Sequence, residues 1–244
     1  MNSKKLIVAL DVDTASAARE LVARLHDVVG MFKVGMQLFT AVGPSIVREI
    51  ISGGNDIFLD LKYHDIPNTV AGAGVEAARL GVSIFNIHAS GGSEMMRRTA
   101  DAVTEVAERE NLKRPRIIGV TLLTSADEAV LSEINVAATP ADQVLRMAEL
   151  AAKSGLDGVV ASPLEAHAIR NRVTSKSFLI VTPGVRPAGA DAGDQRRLTT
   201  PAAAIRAGAD YLVVGRPIIA APDPVAAATQ IAREIDDASS ETGT

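Results

Sequence analysis

Two carboxylates and a lysine stand close together in one segment of the chain, at Asp60, Lys62 and Asp65. Asp60 and Lys62 are two residues apart, so on a β-strand their side chains point to the same side. If that side is enclosed, the two charges must pair, because an isolated charge in a poorly solvated space is very unfavourable. The spacing predicts an ammonium group held by a carboxylate. An ordinary structural ion pair has the same spacing, so this segment alone leaves both interpretations open.

Two further charges extend the pattern. Lys33 lies inside the apolar segment Met31–Met36, where a lysine needs a partner, and Asp11 falls in the first apolar segment of the chain. Asp11 alone would also suit a turn or the start of a helix. With Asp60 and Lys62, these residues would form an array of alternating charge. Neighbouring carboxylates keep a lysine in its charged form, which favours a proton donor and argues against the neutral amine of a Schiff-base aldolase.

Cationic side chains later in the chain suit an anion. Arg186 lies in a glycine-containing loop that continues to Gln195, and Arg216 directly follows Gly215. A guanidinium group binds phosphate through two parallel hydrogen bonds, and a glycine exposes a backbone N–H. Loops of this length in compact domains are usually lids or binding loops. We therefore predict a phosphate site at Arg186, Gln195, Gly215 and Arg216, with a solvated surface loop as the alternative.

The pattern of hydropathy along the chain predicts the strands and helices that position these residues. Eight segments are apolar on both faces and are separated by alanine-rich stretches with helical spacing, as in a parallel sheet covered by helices. They are Leu6–Val12, Met31–Met36, Ile57–Leu61, Val82–Ile87, Ile117–Leu123, Gly158–Ala161, Phe178–Val181 and Tyr211–Val214. We predict an α/β fold, a (β/α)8 TIM barrel, with its chemistry at the C-terminal ends of the strands. A doubly wound open sheet is the alternative, but the turn Asp11–Thr14 lacks the glycine-rich pattern which that fold would need.

Composition limits the class of protein. With 244 residues and 47% hydrophobic content, we expect residues 1–244 to form a single barrel domain with a disordered polar tail from about residue 236. The net charge of -4 gives no general attraction to nucleic acid or to an anionic membrane, so we predict neither as a partner. No spacing of His, Asp and Glu suggests a metal site. The absence of cysteine and the short first apolar segment favour a cytoplasmic protein.

The run Asp60–Thr69 has the pattern D-x-K-x-x-D-I-P-N-T and resembles the signature of the orotidine 5′-phosphate decarboxylase family. Shorter segments extend the resemblance over the barrel from about residue 6 to residue 231: Ala9–Asp11, Phe32–Gly35, Thr182–Arg186 and Val214–Arg216. The resemblance implies an enzyme that converts orotidine 5′-monophosphate to uridine 5′-monophosphate. This is the last step of de novo pyrimidine biosynthesis, and the family uses neither metal nor organic cofactor.

The resemblance also implies a role for each candidate residue. Lys62 would protonate carbon 6 of the pyrimidine after carbon dioxide departs, and the charged network would be completed by Lys33, Asp60 and Asp65. Asp65 and Thr69 would be supplied by the partner subunit of a homodimer. The substrate contacts would be Asp11 and Lys33 for the ribose, Thr124 for the pyrimidine, and Arg186, Gln195, Gly215 and Arg216 for the phosphate.

Two alternatives remain open. A magnesium-dependent 3-keto-L-gulonate 6-phosphate decarboxylase, or the related hexulose-phosphate synthase, is similar in using D-x-K-x-x-D on the same barrel. Those families carry a glutamate on the second strand, where Lys33 stands in this chain and would repel magnesium. A non-catalytic phosphate-binding barrel would bind the ligand without turnover. His88, after the fourth apolar segment, has no assigned role.

Overall fold

A computed structural model describes residues 3–186 and 199–242 of the chain. Within these residues, eight parallel strands form one closed barrel in which each strand pairs with the next along the chain. The strands are β1 (Ser3–Ala9), β2 (Val29–Gly35), β3 (Ile57–Tyr63), β4 (Ile84–His88), β5 (Arg116–Val120), β6 (Gly158–Val160), β7 (Leu179–Thr182) and β8 (Tyr211–Val214). Val8 of β1 pairs with Val214 of β8 and so closes the barrel. The prediction of a (β/α)8 barrel is confirmed, and the open doubly wound sheet is excluded.

Helices follow the strands and cover the outside of the barrel. They are α1 (Ala15–Leu25), α2 (Met36–Val42), α3 (Ser45–Ser52), α4 (Pro67–Leu80), α5 (Gly92–Arg109), α6 (Glu128–Glu133), α7 (Pro140–Lys153), α8 (Pro163–Arg172), α9 (Pro201–Arg206), α10 (Arg216–Ile219) and α11 (Pro224–Thr242). A 3-10 turn at Ala89–Gly91 joins β4 to α5. In the part of the chain that the structure describes, no helix has the length and apolar character needed to cross a membrane.

The strands divide the core into two layers because successive side chains point to opposite faces. A cluster that includes Met31 and Phe58 fills the inside of the barrel. A larger cluster, which includes Leu6, lies between the strands and the helices. Lys33 and Asp60 come two residues after Met31 and Phe58, so they continue the inward-facing rows. The barrel therefore directs both charged side chains towards its interior.

Local sequence signals explain where individual helices begin and end. The side-chain oxygen of Thr14 accepts a hydrogen bond of 3.2 Å from the N–H of Ala17 and caps α1. Pro67 occupies the first turn of α4, where its missing N–H costs no helical hydrogen bond. Gly81 follows α4 with a φ of 82°, a left-handed conformation that glycine adopts without strain. The chain reverses there and enters β4.

Two aspartates join neighbouring strands at the N-terminal end of the barrel. Asp157 directly precedes β6, accepts a hydrogen bond of 2.7 Å from the N–H of Ile117 in β5, and pairs with Arg114 at 2.8 Å. Asp210 directly precedes β8, accepts a hydrogen bond of 2.7 Å from the N–H of Ile180 in β7, and pairs with an arginine of α8. These contacts lie at the end of the barrel opposite the predicted site.

The last helix is longer than the sequence suggests. The sequence predicts a disordered tail from about residue 236. This prediction is wrong for residues 236–242, which are helical, since α11 ends only at Thr242. Ile235 and Ala238 are buried, and Arg206 pairs with Glu241 at 2.8 Å. A narrow row of small and apolar side chains packs this helix against the barrel. In the sequence, so few apolar residues within a polar stretch do not form a recognisable helical pattern.

Candidate active site

A cavity of about 270 Å³ opens at the C-terminal ends of the strands. Its charged lining is supplied by Lys33, Asp60 and Lys62. The remaining lining is mostly apolar and consists of Phe58, Val120, Leu122, Leu123, Thr124, Ser125, Val160, Ala161, Pro183 and Val213. Charges in such surroundings interact more strongly than they do in water. Thr124, which the sequence analysis assigned to the site, is one of these lining residues.

Asp60 joins two lysines into one network. Its Oδ1 lies 2.6 Å from Nζ of Lys62, and its Oδ2 lies 3.3 Å from Nζ of Lys33. The same Nζ of Lys33 lies 3.1 Å from Oδ1 of Asp11. The side chains of Lys33 and Asp60 are only 10% and 12% exposed, so the centre of the network is shielded from water, whereas Asp11 is 53% exposed at its edge. The structure thus brings together the four residues of the predicted alternating array.

The surroundings of Asp60 keep it ionised. Burial by itself would raise the pKa of Asp60, because it disfavours the charged carboxylate. The attraction of Lys33 and Lys62, with hydrogen bonds from Lys62 and Asn86, outweighs burial and lowers the pKa below its usual value. Asp60 is therefore a carboxylate at neutral pH. Its fixed negative charge holds an ammonium group at the edge of the cavity before any ligand arrives.

Asn86 of β4 is a site residue that the sequence reasoning missed. The residue is 1% exposed. Its Nδ2 donates a hydrogen bond of 2.6 Å to Oδ1 of Asp60, and its Oδ1 accepts one of 2.8 Å from the backbone N–H of Lys62. The available signal was an amide inside the apolar segment Val82–Ile87, because a buried polar side chain needs a partner.

The backbone of Lys62 departs from regular strand geometry. Its φ of 51° lies in the left-handed region, which is uncommon for a residue other than glycine. The pairing of β3 with β4 also shifts between Leu59 and Tyr63. The prediction that Asp60 and Lys62 point to the same side is confirmed, since both line the cavity. They reach that arrangement through an irregular strand end.

Asp65 and Thr69 lie outside this network in a single chain. Both are exposed. Oδ1 of Asp65 accepts a hydrogen bond of 2.6 Å from the N–H of Ile66, and within residues 3–186 and 199–242 its carboxylate forms no ion pair with either lysine of the network. Ile66 is itself 68% exposed. One chain therefore does not bring this candidate carboxylate to the cavity.

The predicted phosphate site is described in part. Arg186 is 8% exposed, and its Nη1 donates a hydrogen bond of 3.0 Å to the preceding backbone carbonyl. Burial, followed by the positive charge of Arg216, lowers the pKa of Arg186, so the two guanidinium groups influence each other. Gly215 lies beside Asp11, because a Cβ added at Gly215 would be 3.4 Å from Oδ2 of Asp11. Gln195 lies outside the described residues.

His88 lies at the end of β4, next to the network. Its ring centroid is 5.3 Å from that of His64, and the two rings are tilted by 35°. Burial, followed by the electrostatic influence of the neighbouring His64 and Lys62, lowers the pKa of His88, while Asp60 has a smaller opposite effect. His88 is therefore neutral at pH 7.

The fold and this arrangement define a class of protein. A closed (β/α)8 barrel with paired charges and an apolar cavity at the C-terminal strand ends has the architecture of a barrel enzyme. Comparison with known proteins gives the family: the chain matches the orotidine 5′-phosphate decarboxylase / HUMPS family over residues 4–231 and belongs to it. The resemblance seen in the motifs is confirmed.

Individual relatives support this assignment. An orotidine 5′-phosphate decarboxylase of Moorella thermoacetica is 56% identical over 233 residues, which cover 95% of this chain and 92% of that protein. Another, of Syntrophotalea carbinolica, is 54% identical over 232 residues and 95% of each chain. A crystal structure of orotidine 5′-phosphate decarboxylase from Lactobacillus acidophilus matches with a TM-score of 0.82 at 39% identity, covering 95% of this chain and 98% of that one.

Proposed function

We propose that this chain decarboxylates orotidine 5′-monophosphate to uridine 5′-monophosphate, the last step of de novo pyrimidine biosynthesis, with Lys62 as the proton donor. The observation that carries the proposal is the network in which Asp60 lies 2.6 Å from Lys62 and 3.3 Å from Lys33 at the edge of an apolar cavity. Relatives that are more than half identical over 95% of the chain bear the name of this activity.

The apolar part of the cavity suits the pyrimidine ring, with Thr124 beside it. In the reaction, the bond between carbon 6 and the carboxylate carbon breaks, carbon dioxide leaves, and the electron pair of that bond stays on carbon 6. The ammonium group of Lys62 stabilises the developing negative charge and then transfers a proton to carbon 6. Because Lys62 is already held in place, little reorganisation is needed as the charge develops.

Asp60 has two roles in this mechanism. It positions the ammonium group of Lys62 through their contact of 2.6 Å. Its own negative charge also lies where the carboxylate of the substrate would approach, and the resulting repulsion would raise the energy of the bound substrate. The departure of carbon dioxide removes this repulsion.

The remaining candidates bind parts of the substrate that do not react. Asp11 and Lys33 contact the ribose, and the phosphate is held by Arg186, Gly215, Arg216 and Gln195, the last of which lies outside the described residues. Binding energy from a phosphate remote from carbon 6 stabilises the reactive, closed site. Loss of phosphate contacts should therefore slow the chemistry as well as weaken binding.

The proposal includes a homodimer in which Asp65 and Thr69 of one subunit complete the site of the other. Its support is that the Asp65 carboxylate is exposed in one chain and is not part of the network there. A second carboxylate near Lys62 would extend the alternating charges, and the contact would cover Ile66. Each subunit is one barrel domain. A cytoplasmic location fits a phosphorylated substrate, because such a charged molecule does not cross membranes unaided.

The magnesium-dependent sugar-phosphate enzymes are the alternative within this family. Both oxygens of Asp60 contact ammonium groups, one of Lys62 and one of Lys33. A divalent cation at this carboxylate would be repelled by two positive charges, so the donor set does not fit magnesium. This supports a reaction without a metal.

The deciding experiment follows the ultraviolet absorbance of orotidine 5′-monophosphate incubated with the purified protein in EDTA. We expect the absorbance of orotate to give way to that of uridylate without added metal. No change in EDTA, together with magnesium-dependent activity on a keto-sugar phosphate, would identify the alternative enzyme. Ligand binding without turnover under any condition would indicate a non-catalytic barrel.

A further inference from the structure

We propose that Asn86 is a positioning residue that aligns Lys62 with Asp60, an inference that rests on the proposed function. The two polar atoms of the Asn86 side chain form hydrogen bonds with two different residues of the site. Nδ2 lies 2.6 Å from Oδ1 of Asp60, and Oδ1 lies 2.8 Å from the backbone N of Lys62. One buried amide therefore connects the carboxylate that holds the ammonium group to the backbone that carries it.

The backbone contact replaces a regular strand hydrogen bond. The pairing of β3 with β4 shifts between Leu59 and Tyr63, and Lys62 has a φ of 51°. In a regular parallel pair, N–H groups bond to carbonyls of the neighbouring strand. Here the side-chain carbonyl of Asn86 accepts the N–H of Lys62. An unusual backbone conformation persists only when its surroundings hold it, so loss of this acceptor would let Lys62 relax and move its Nζ.

The carboxylate contact determines which oxygen faces Lys62. Oδ1 of Asp60 receives hydrogen bonds from Nδ2 of Asn86 and from Nζ of Lys62, each at 2.6 Å, while Oδ2 faces Lys33. The amide satisfies both of its contacts in one orientation only. The flipped amide would place its carbonyl against a carboxylate and its NH₂ against an N–H. Asn86 thus sets the rotation of the Asp60 side chain as well as the backbone of Lys62.

Three variants separate positioning from general stability. Asn86→Ala removes both contacts. Asn86→Asp keeps the shape and the acceptor for the Lys62 N–H, but it places an oxygen against Asp60. Phe85→Leu is the matched control, because Phe85 is the preceding residue of β4, is fully buried, and packs in the layer between strands and helices. It disturbs the same strand on the face opposite Asn86, where the ring centroid of Phe85 lies 6.1 Å from that of Tyr63.

The first measurement is steady-state decarboxylation of orotidine 5′-monophosphate. We expect kcat to fall about 100-fold in both Asn86 variants, as for other small misplacements of reacting groups, with little change in KM because the phosphate contacts lie on other strands. The acid limb of the kcat profile should move to higher pH in Asn86→Ala, since a hydrogen bond that lowers the pKa of Asp60 is lost. Phe85→Leu should change neither. A folded Asn86→Ala variant with kcat and acid limb like those of the wild type would overturn the proposal.

The second measurement does not depend on turnover. Hydrogen exchange of the Lys62 amide is followed by NMR on protein labelled with ¹⁵N-lysine, with the resonance assigned from Lys62→Arg. We expect exchange about tenfold or more faster in Asn86→Ala than in the wild type, and no change in Asn86→Asp or Phe85→Leu. Equal protection in Asn86→Ala would overturn the backbone role. If the wild type fails to decarboxylate, the proposed function fails, and this exchange result still decides whether Asn86 holds Lys62. If Asn86→Ala does not fold, Asn86→Ser replaces it in both measurements.

Discussion

Nζ of Lys62 lies 2.6 Å from Oδ1 of Asp60, two residues earlier on the same strand. The two partners are not equivalent, because Asp60 also contacts Lys33. Loss of Lys62 leaves the carboxylate with Lys33 as a counterion. Loss of the carboxylate instead leaves two ammonium groups close together, with the more exposed Asp11 in contact with Lys33. Substitutions on the two sides of this contact should therefore have different effects on stability and on activity.

Lys62→Ala should abolish turnover while the fold survives. The proton donor and the stabilising charge are both lost, and we expect kcat to fall by about 10³-fold or more. Thermal unfolding should change little, because Lys33 still pairs with Asp60. The control is Lys153→Ala, which removes a lysine whose side chain is 76% exposed on α7. Turnover near that of the wild type in folded Lys62→Ala would refute the assignment of the proton donor.

Asp60→Asn should destabilise the protein. Lys62 would lose its carboxylate partner, and Lys33 would be left with its contact to the more exposed Asp11. Removal of one partner of a shielded ion pair typically costs about 3 kcal/mol or more of unfolding free energy. Urea denaturation of the two proteins measures this cost. Glu49→Gln, which breaks the exposed pair between Glu49 and Arg19, should have a much smaller effect. Equal effects of the two substitutions would contradict the view that the Asp60 network is shielded.

His88 should make the stability pH-dependent. Its pKa is lowered in the folded protein, so below the ordinary value of about 6.5 the unfolded chain binds a proton that the folded chain resists. The free energy of unfolding should therefore decrease as the pH falls from 7 through this range, and the loss should level off below the folded-state pKa. Denaturation at several pH values should show a weaker dependence in His88→Asn, while His26→Asn, at an exposed position, should leave it unchanged. An identical slope in His88→Asn would exclude this role.

Arg216→Ala should weaken the response to a phosphorylated ligand. Uridine 5′-monophosphate binds the folded state and should raise the thermal unfolding temperature of the wild type by mass action. The increase should be much smaller in Arg216→Ala, because Arg186 and Arg216 together suit a dianion. Uridine, which lacks the phosphate, is the control and should affect both proteins equally. An unchanged response to the nucleotide would place the phosphate elsewhere.

Mixing two inactive variants should test the shared site. In a dimer that combines Lys62→Ala with Asp65→Ala, one of the two sites has both residues intact. After random exchange of subunits, about a quarter of the wild-type sites should be restored, and activity should return in proportion. A mixture of Lys62→Ala with Asp60→Asn damages the same half of each site and should stay inactive. No recovery in the first mixture would argue against the exchange of Asp65 between subunits.

Hydropathy was sufficient to predict the barrel, because each strand is apolar on both faces and so corresponds to one short, continuous apolar stretch of the sequence. The spacing of Asp60 and Lys62 was sufficient to predict their contact for the same local reason. Asn86 was not found, since its role depends on the register between β3 and β4 and on an irregular strand end. The end of α11 was also missed, because its burial depends on tertiary packing of a polar segment. The contribution of Asp65 and Thr69 to the site of a partner subunit stays a prediction, because the structure describes one chain.

The aspartates at the N-terminal end of the barrel have a consequence for how this protein can change over time. Asp157 and Asp210 each accept a hydrogen bond from a backbone N–H of the neighbouring strand, at the end of the barrel away from the cavity. Substitutions that adapt the lining of the cavity to a different phosphorylated compound need not disturb these hydrogen bonds. Most substitutions reduce stability. A barrel that is stabilised at its N-terminal end therefore tolerates more destabilising substitutions at its C-terminal end. The barrel is thus well suited to acquire new substrate specificities without losing its fold.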